Sequence, residues 1–564
     1  MSTQITKHIG EISYKLPRIR EGEELLSITQ SVCPYCYRIL PSIVIERNGK
    51  VYIRRICPEH GEIEELYYGD VELYKKMIKW DLEGRGARHV YTSVTKPCPF
   101  NCGLCPMHKQ HSALVNIVLT NRCNLSCWYC FFYAEAAGYV YEPTIEQILE
   151  IVRLVKKQGV AVNVQLTGGE PTLRDDLVDI VKALKAEGVR HLQLNTNGIK
   201  FSELYWEDPV KAIEYARALR TGGVNTIYLS FDGVTPVTNW KNHWEIPYIF
   251  EVFRKAGMTS VVLVPTVING VNTHEMGAIV KFAAKHVDIV RAVNFQPVSL
   301  TGMMKKHERM KYRITIPDVI KLIEEQTDGE VPREAWFPIP VSGIFSRFIE
   351  AFAKEFKFEM VNHPICGAAT YVYVDRKSDG RINLIPITRF VDVEGLLEYL
   401  REKWEELLSG STRIMVGMKL LYNIRKYIDQ KKAPEGFDLY KLLLNVIIKR
   451  NYEALGEIHY KMVFLGMMHF MDLYNYDIQR VQRCNIHYGT PDGRLIPFCA
   501  FNIFEDIYRD KIQREYGIPL EEYSKKYNLP PKVVTKKYIR DRKKLESTEI
   551  YRQTYEGILD LVRK

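Results

Sequence analysis

Cysteines are the residues of this sequence whose spacing most clearly indicates chemistry. Nine of the 12 fall into three close groups. Two of these groups are triplets with the spacing Cys-x3-Cys-x2-Cys, formed by Cys98, Cys102, Cys105, Cys123, Cys127 and Cys130. Three thiolates can bind three irons of a [4Fe-4S] cluster and leave the fourth iron open to another ligand. We therefore expect a cluster at each triplet.

The third group lies near the N-terminus and has the spacing of a mononuclear metal site. Cys33 and Cys36 form one pair of ligands, and Cys57 and His60 form a second pair about twenty residues further on. The segment between the pairs alternates apolar and polar residues around an Asn-Gly turn, which predicts a β-hairpin. The group resembles a zinc ribbon or a rubredoxin and predicts one Zn or Fe ion. The alternative is buried free thiols beside a solvent-exposed histidine.

Three further cysteines, Cys366, Cys484 and Cys499, are far apart in the sequence. They are either ligands of an additional cluster that the fold brings together or buried apolar thiols. One or two auxiliary [4Fe-4S] clusters are therefore predicted besides the cluster at residues 123–130. With three thiolates at each site, a further ligand would come from substrate or from a histidine. The candidates are His108 and His111 for the triplet at residues 98–105, and His363 and His487 for the distal cysteines.

Strand and helix patterns alternate around the second triplet. About six strands are predicted, at residues 115–120, 162–167, 191–198, 226–233, 260–267 and 289–296. Helical patterns between them indicate a parallel, barrel-like sheet, in which ligands bind at the carboxyl ends of the strands. Besides the second triplet, the residues at those ends are Gly168, Gly169, Glu170, Asn195, Ser230, Asp232, Asn294 and Gln296.

Residues 112–300 resemble the radical S-adenosylmethionine (SAM) superfamily. Four motifs carry the resemblance: Cys-Asn-Leu-Ser-Cys-Trp-Tyr-Cys at 123–130, Gly-Gly-Glu at 168–170, Thr-Asn-Gly at 196–198 and Ser-Phe-Asp-Gly at 230–233. The resemblance implies an α/β fold with a partial (β/α)6 TIM-like barrel. It also implies that one electron from a [4Fe-4S] cluster cleaves SAM to a 5′-deoxyadenosyl radical, which abstracts hydrogen from an unactivated carbon.

The same resemblance implies roles for single residues. Cys123, Cys127 and Cys130 would hold the catalytic cluster. Ser230 and Asp232 would hydrogen-bond the ribose, although both are also typical of a turn cap. The remaining cofactor contacts are predicted for Tyr129 at the adenine, for Gly168, Gly169 and Glu170 at the methionyl amine, and for Asn195, Asn294 and Gln296.

Composition excludes several classes of protein. The chain has 564 residues, of which 46% are apolar and 26% charged, and a formal net charge of +10. This balance excludes a wholly disordered chain and a collagen-like repeat. The sequence starts without an apolar signal region and lacks the roughly 18 continuous apolar residues of a membrane helix. We expect a cytoplasmic protein with reduced thiols rather than a secreted disulfide scaffold.

Beyond residue 310 the barrel pattern stops and helices are predicted. The predicted helices span residues 316–325, 391–408, 439–450 and 458–471. Residues 437–448 are almost all apolar, and residues 460–471 are rich in Met and Phe. These segments form either core or the lining of an apolar tunnel for a flexible chain.

A basic run at residues 532–544 contains seven basic residues and one acid. Such runs are commonly solvated surface, and the functional alternative is attraction to anionic lipid headgroups or to nucleic acid. Since no nucleic-acid-binding module accompanies the run, we expect no nucleic-acid partner.

The order of the modules resembles that of the archaeal tetraether lipid synthases. It comprises an N-terminal metal module (1–90), an auxiliary-cluster loop (91–111), a radical SAM core (112–310) and a mostly helical, cluster-bearing domain (311–564). The resemblance implies coupling of terminal methyl carbons of archaeol-type phospholipids, giving macrocyclic archaeol or tetraether lipids. The partners would be the phospholipid, the membrane surface through peripheral contact, and a low-potential electron donor such as ferredoxin.

Two other functions stay open. One is a radical SAM methyltransferase that acts on 7,8-dihydro-6-hydroxymethylpterin in methanopterin biosynthesis. The other is a non-catalytic iron–sulfur electron-transfer protein, although an electron carrier needs no nucleoside pocket. A closed apolar channel ending near Cys123 would favour the lipid, whereas a polar pocket would favour the pterin.

Overall fold

The computed structural model describes residues 8–130, 132, 137–304, 306–356, 358–435, 437–438, 440 and 460–562. The helix predicted at 439–450 lies outside the described residues, apart from Tyr440. No helix in the described ranges is long and apolar enough to cross a bilayer.

The N-terminal module is a four-stranded antiparallel sheet with strands in sequence order. Its strands are β1 (Glu24–Val32), β2 (Ile39–Arg47), β3 (Lys50–Cys57) and β4 (Gly61–Tyr68). The predicted hairpin is confirmed, since Arg47 pairs with Lys50 across the turn. Asn48 and Gly49 have φ values of +52° and +73°, as a tight type I′ turn requires.

The second sheet contains the predicted parallel core. The strands that follow the ribbon are β5 (Leu114–Thr120), β6 (Tyr139–Val140), β7 (Asn163–Gly168), β8 (His191–Thr196), β9 (Thr226–Ser230), β10 (Val261–Val264), β11 (Thr266–Val267) and β12 (Val290–Pro297). Strands β5, β7, β8, β9, β10 and β12 lie side by side in that order and run parallel. The six strands expected from the sequence are therefore present.

Helices follow most of these strands and cover one face of the sheet. The helices as far as residue 423 are α1 (Val71–Lys79), α2 (Ile145–Lys156), α3 (Leu177–Ala186), α4 (Ile199–Glu207), α5 (Pro209–Gly222), α6 (Ile246–Ala256), α7 (Met276–Lys285), α8 (Arg309–Tyr312), α9 (Ile316–Gln326), α10 (Val341–Ala353), α11 (Val393–Leu408) and α12 (Arg413–Asn423). Helix α2 is typical: Thr144 and Gln147 form a capping box, and its apolar stripe is buried against β5 and β7.

Residues beyond 310 extend the same sheet on both sides. They add β13 (Phe337–Pro338), β14 (Gly367–Arg376), β15 (Ile382–Pro386), β16 (Met462–Met468), β17 (Ile486–Gly489) and β18 (Leu495–Pro497), while β19 (Ile518–Pro519) pairs with β6. Strand β16 lies parallel to β12, and β17 lies parallel to β5. The C-terminal region is thus helical only in part.

The helix predicted at 458–471 is wrong. Residues Met462–Met468 form strand β16, which pairs with β12 on one side and β14 on the other. A short apolar run has no periodicity that separates a buried strand from a buried helix. The interpretation of this segment as core is correct, because Val463, Leu465 and Met467 are buried in the main hydrophobic core.

Short helices make up most of the C-terminal segment. They span Ile478–Gln482, Phe498–Ile503, Arg509–Glu515, Leu520–Lys526, Pro531–Val534, Arg542–Glu546 and Glu549–Tyr555. The last of these contacts α6. Tyr555 belongs to the main hydrophobic core, so the C-terminal segment packs against the barrel.

Candidate functional site

The loop after β5 carries the second cysteine triplet, Cys123, Cys127 and Cys130, and the Gly-Gly-Glu turn lies against it. Gly169 N donates to Thr120 O at 2.8 Å, and Glu170 N donates to Arg122 O at 2.8 Å. A Cβ atom at Gly168 would lie 2.2 Å from Thr120 O, and one at Gly169 would lie 2.1 Å from Arg122 O. The two glycines are therefore required for the close approach of these backbones.

The three thiols of the triplet have surroundings that suit cluster ligands. Cys123 Sγ accepts from Leu125 N at 3.4 Å, and Cys130 Sγ accepts from Phe132 N at 3.3 Å. Burial, followed by the charge of Glu170, raises the pKa of the Cys123 thiol to about 12. Iron binding would displace that proton. Three thiols on one loop, two of them accepting N–H bonds, fit a [4Fe-4S] cluster with one open iron.

Lys241 is a site residue that sequence reasoning missed. Its Nζ lies 2.9 Å from Asp232 Oδ2, its side chain is 8% exposed, and its charge acts on Cys127 and Cys130. Tyr129 OH donates to the same carboxylate, and Thr266 N donates to the other oxygen at 3.0 Å. A single lysine nine residues after a Ser-Phe-Asp-Gly motif has no spacing signal that could have revealed this role.

Glu170 is fully buried and already hydrogen-bonded. One carboxylate oxygen accepts from Thr172 N at 3.0 Å, from Thr172 Oγ1 at 2.6 Å and from Thr196 Oγ1 at 2.7 Å. The other accepts from Asn197 N at 2.7 Å. These bonds join the end of β7 to the end of β8. Both oxygens thus have protein partners, and contact of Glu170 with the methionyl amine stays a prediction.

The face of the sheet opposite the helices is lined with polar side chains. Partly exposed residues on this face alternate with fully buried apolar residues on the helix-covered face. The polar set consists of the partly exposed Gln165, Gln193, Asn195, Ser230, Asn294 and Gln296, together with Asn116, which is buried. Gln165 Nε2 donates to Asn116 Oδ1 at 2.9 Å, and Asn195 Nδ2 donates to Thr167 Oγ1 at 3.2 Å. This face does not match the predicted apolar channel.

The N-terminal group has the dimensions of a tetrahedral zinc site. Ligand atoms of Cys33, Cys36, Cys57 and His60 all lie within 4.8 Å of one another. Cys36 Sγ and Cys57 Sγ are 3.8 Å apart, and His60 Nδ1 lies 3.5 Å from Cys33 Sγ and 3.4 Å from Cys57 Sγ. Zn–S bonds of about 2.3 Å and Zn–N bonds of about 2.0 Å in a tetrahedron give edges of roughly 3.5–3.8 Å. The donor set therefore fits one zinc ion.

The other six cysteines fall into two neighbouring groups. Cys98 and Cys102 share a hydrogen bond, and Cys105 lies close enough for its charge to act on Cys98. The fold also brings Cys366, Cys484 and Cys499 near one another. Burial raises the pKa of the Cys499 thiol, and the nearby charges of Cys484 and Cys366 raise it further. Their roles as cluster ligands stay predictions.

Buried polar groups surround the distal cysteines. Cys366 Sγ accepts from Arg480 Nε at 3.3 Å, and Cys499 Sγ accepts from Met471 N at 3.4 Å. Arg480 lies 2% exposed in the core, where its cation can compensate thiolate charge.

The four candidate histidines already have protein partners. His108 Nε2 lies 2.8 Å from Cys484 O and 3.2 Å from His487 Nε2. His111 Nε2 accepts from Glu359 N at 3.2 Å, and His363 Nδ1 accepts from Ile365 N at 3.5 Å. His108 and His487 thus join the loop of the first triplet to the distal group.

Comparisons with known proteins agree with this geometry. Residues 117–283 match the radical SAM superfamily, and residues 25–69 match the HMPTM N-terminal zinc ribbon domain. The 7,8-dihydro-6-hydroxymethylpterin dimethyltransferase of Methanocaldococcus jannaschii is 43% identical over 510 residues, which are 89% of this chain and 97% of that protein. This chain belongs to the radical SAM superfamily and to the family of that relative. Its cofactors are accordingly a [4Fe-4S] cluster, SAM and the ribbon zinc.

More distant radical SAM proteins match only parts of the chain. The probable GTP 3′,8-cyclase of Methanocaldococcus jannaschii is 27% identical over 39% of this chain and 68% of its own length. The solved structure of the radical SAM methyltransferase TsrM from Kitasatospora setae, with cobalamin and a [4Fe-4S] cluster, covers 43% of this chain and 46% of its own. Its TM-score of 0.25 and identity of 13% are too low to support any conclusion about this protein.

The prediction of a tetraether lipid synthase is wrong. The relative that matches nearly the whole chain is named for a pterin substrate, and this overturns both the phospholipid substrate and the membrane partner. The basic run at residues 532–544 also has another role. Arg540 pairs with buried Glu245, and Lys537 donates to the backbone of the cluster loop, so part of this charge lies inside the molecule.

Proposed function

We propose that this protein is a radical SAM methyltransferase whose substrate is 7,8-dihydro-6-hydroxymethylpterin. The observation that supports this proposal most strongly is the match to the 7,8-dihydro-6-hydroxymethylpterin dimethyltransferase, at 43% identity over 89% of this chain and 97% of the relative. The match extends far beyond the radical SAM core at 117–283, so it includes the regions on both sides of that core.

The polar inner face of the barrel supports this substrate. Asn294 and Gln296 stand towards the carboxyl end of β12, and Asn195 stands at the carboxyl end of β8. Amide side chains both donate and accept, which matches the donors and acceptors around a pterin ring. An alkyl chain would offer the side-chain amides of Asn294 and Gln296 no hydrogen-bond partner, at a cost of about 1–3 kcal/mol for each group left unpaired.

The chain contributes placement and charge to this reaction. When bound at the triplet, a [4Fe-4S] cluster supplies the electron that cleaves SAM. We propose that Cys123, Cys127 and Cys130 hold it, and that Asp232, fixed by Lys241, orients the nucleoside. The Gly-Gly-Glu turn holds the cluster loop against β7.

Formation of 5′-deoxyadenosine tests this proposal. Reconstituted protein, reduced with dithionite and given SAM, should form it several-fold faster with 7,8-dihydro-6-hydroxymethylpterin than with dispersed archaeol phospholipid. A Cys123→Ala variant should form none, because the cluster loses a ligand. Stimulation by the phospholipid and none by the pterin would refute the proposed substrate.

A further inference from the structure

Residues 535–546, here called the C-terminal strap, cross the loop that carries the catalytic cysteines. Lys537 Nζ donates to Cys123 O at 2.8 Å and to Leu125 O at 3.2 Å. Tyr538 N donates to Asn124 O at 2.9 Å. The first turn of the cluster loop is therefore tied by hydrogen bonds to a segment more than four hundred residues away in the chain.

The chain is held in place both before and after Lys537. On the C-terminal side, Arg540 Nε lies 2.8 Å from Glu245 Oε1, and its other nitrogens donate to Trp240 O at 2.9 Å and to Lys241 O at 2.6 Å. On the N-terminal side, Val534 is buried. The position of Lys537 beside the cluster loop is thus fixed by contacts that do not involve the cysteines.

The charge of Lys537 acts on all three cysteines of the triplet. Burial lowers the pKa of its amine, and the thiolates of Cys123, Cys127 and Cys130 act in the opposite direction. A [4Fe-4S] cluster with three thiolates is anionic, and reduction adds a further negative charge. An ammonium in this half-buried position stabilises the reduced cluster more than the oxidised one.

We propose that Lys537 is a positioning residue of the radical SAM cluster: it tethers the cysteine loop, and its charge raises the reduction potential of the cluster. The strap lies outside the 117–283 region that matches the superfamily. In this chain, an element of the proposed cluster site therefore comes from a segment far outside the superfamily match. The inference concerns the cluster and holds whichever substrate the enzyme uses.

Three variants separate the tether from the charge. Lys537→Met removes both, Lys537→Gln keeps a donor without the charge, and Lys537→Arg keeps both. Lys532→Met removes an exposed lysine of the same basic run and serves as the matched control. Each protein is reconstituted with iron and sulfide and titrated with reductant while the EPR signal of the reduced cluster is recorded. The radical SAM cluster is recognised because SAM, which binds its open iron, alters its signal.

In the two neutral variants, the ratio of oxidised to reduced cluster at a given solution potential should rise about tenfold. This corresponds to a reduction potential lower by about 59 mV for a one-electron couple. Lys537→Arg and Lys532→Met should keep the wild-type potential. Loss of the SAM-sensitive signal in Lys537→Met but not in Lys537→Gln would support the tether. Wild-type potentials in both neutral variants would overturn the proposal. It would also be overturned if both failed to fold while Lys537→Arg folded, since Lys537 would then serve fold stability alone.

Discussion

At the scale of single residues, spacing revealed the metal ligands and missed the charges that act on them. Cys33, Cys36 and Cys57 stand in short motifs whose metal-binding chemistry can be recognised from the sequence alone. Lys241 and Lys537 approach the catalytic cysteines only after folding, and each is one lysine among many in the sequence. Spacing rules detect ligands that share a loop, and they cannot detect a counter-charge brought in by a distant segment.

The zinc site allows a test at this scale. Cys36→Ser replaces a thiolate with a poor zinc ligand at a position 3.8 Å from Cys57 Sγ, so we expect the chain to lose its zinc and the ribbon to lose stability. Metal analysis should show zinc near zero and iron unchanged. Tyr35→Phe, in the same turn, is the control and should keep its zinc. Full zinc content in Cys36→Ser would contradict the assigned site.

At the scale of elements, the ribbon is held together by a buried ion pair as well as by metal. Glu23, immediately before β1, pairs with Arg54 of β3, and their side chains are 1% and 0% exposed. Arg54 also pairs with Glu64 of β4. Hydrogen bonds from Arg54, opposed by burial, lower the pKa of Glu23 from 4.5 to about 2. When Glu23 is charged, these ion pairs therefore join the start of the ribbon to strands β3 and β4.

Glu23→Gln should destabilise the ribbon by about 3 kcal/mol at neutral pH, because it leaves Arg54 buried without its full countercharge. The lowered pKa means that the contribution of Glu23 is complete above about pH 4.5 and is lost as the pH falls towards 2. The difference in melting temperature between variant and wild type should shrink over that range. Glu24→Gln changes an exposed neighbour and should have little effect. Equal effects of the two substitutions would argue against a structural role for the pair.

Elements were predictable from the sequence where their pattern was periodic. The six parallel strands, the ribbon hairpin and helix α2 have alternating or 3.6-residue patterns and were correctly expected. Strand β16 was mistaken for a helix, because a sequence of Met, Phe, Val and Leu buried between two neighbouring strands has no polar residues to mark its period. The extension of the core sheet by β16 and β17 depends on long-range pairing that no local pattern records.

At the scale of the whole molecule, the order of modules indicated how the chain is built but led to the wrong substrate. A ribbon, a cluster loop and a radical SAM barrel generate and contain a radical, and they do not specify which carbon it attacks. The proposed pterin substrate is supported instead by the polar inner face and by the match over 97% of a pterin dimethyltransferase. The lipid-headgroup interpretation of the C-terminal basic run was wrong, and a linear charge count also could not show that Arg540 is paired with a buried glutamate.

The most direct test of the proposed function is the detection of its product. The chain and its Cys123→Ala variant are expressed anaerobically in a bacterial host that synthesises 7,8-dihydro-6-hydroxymethylpterin, and the extracted pterins are analysed by mass spectrometry. Cells with the wild-type chain should contain pterins heavier by one or two methyl substitutions, and cells with the variant should contain none. Unmodified pterins in cells whose wild-type protein is folded and carries its cluster would contradict the assignment of this enzyme as a pterin methyltransferase.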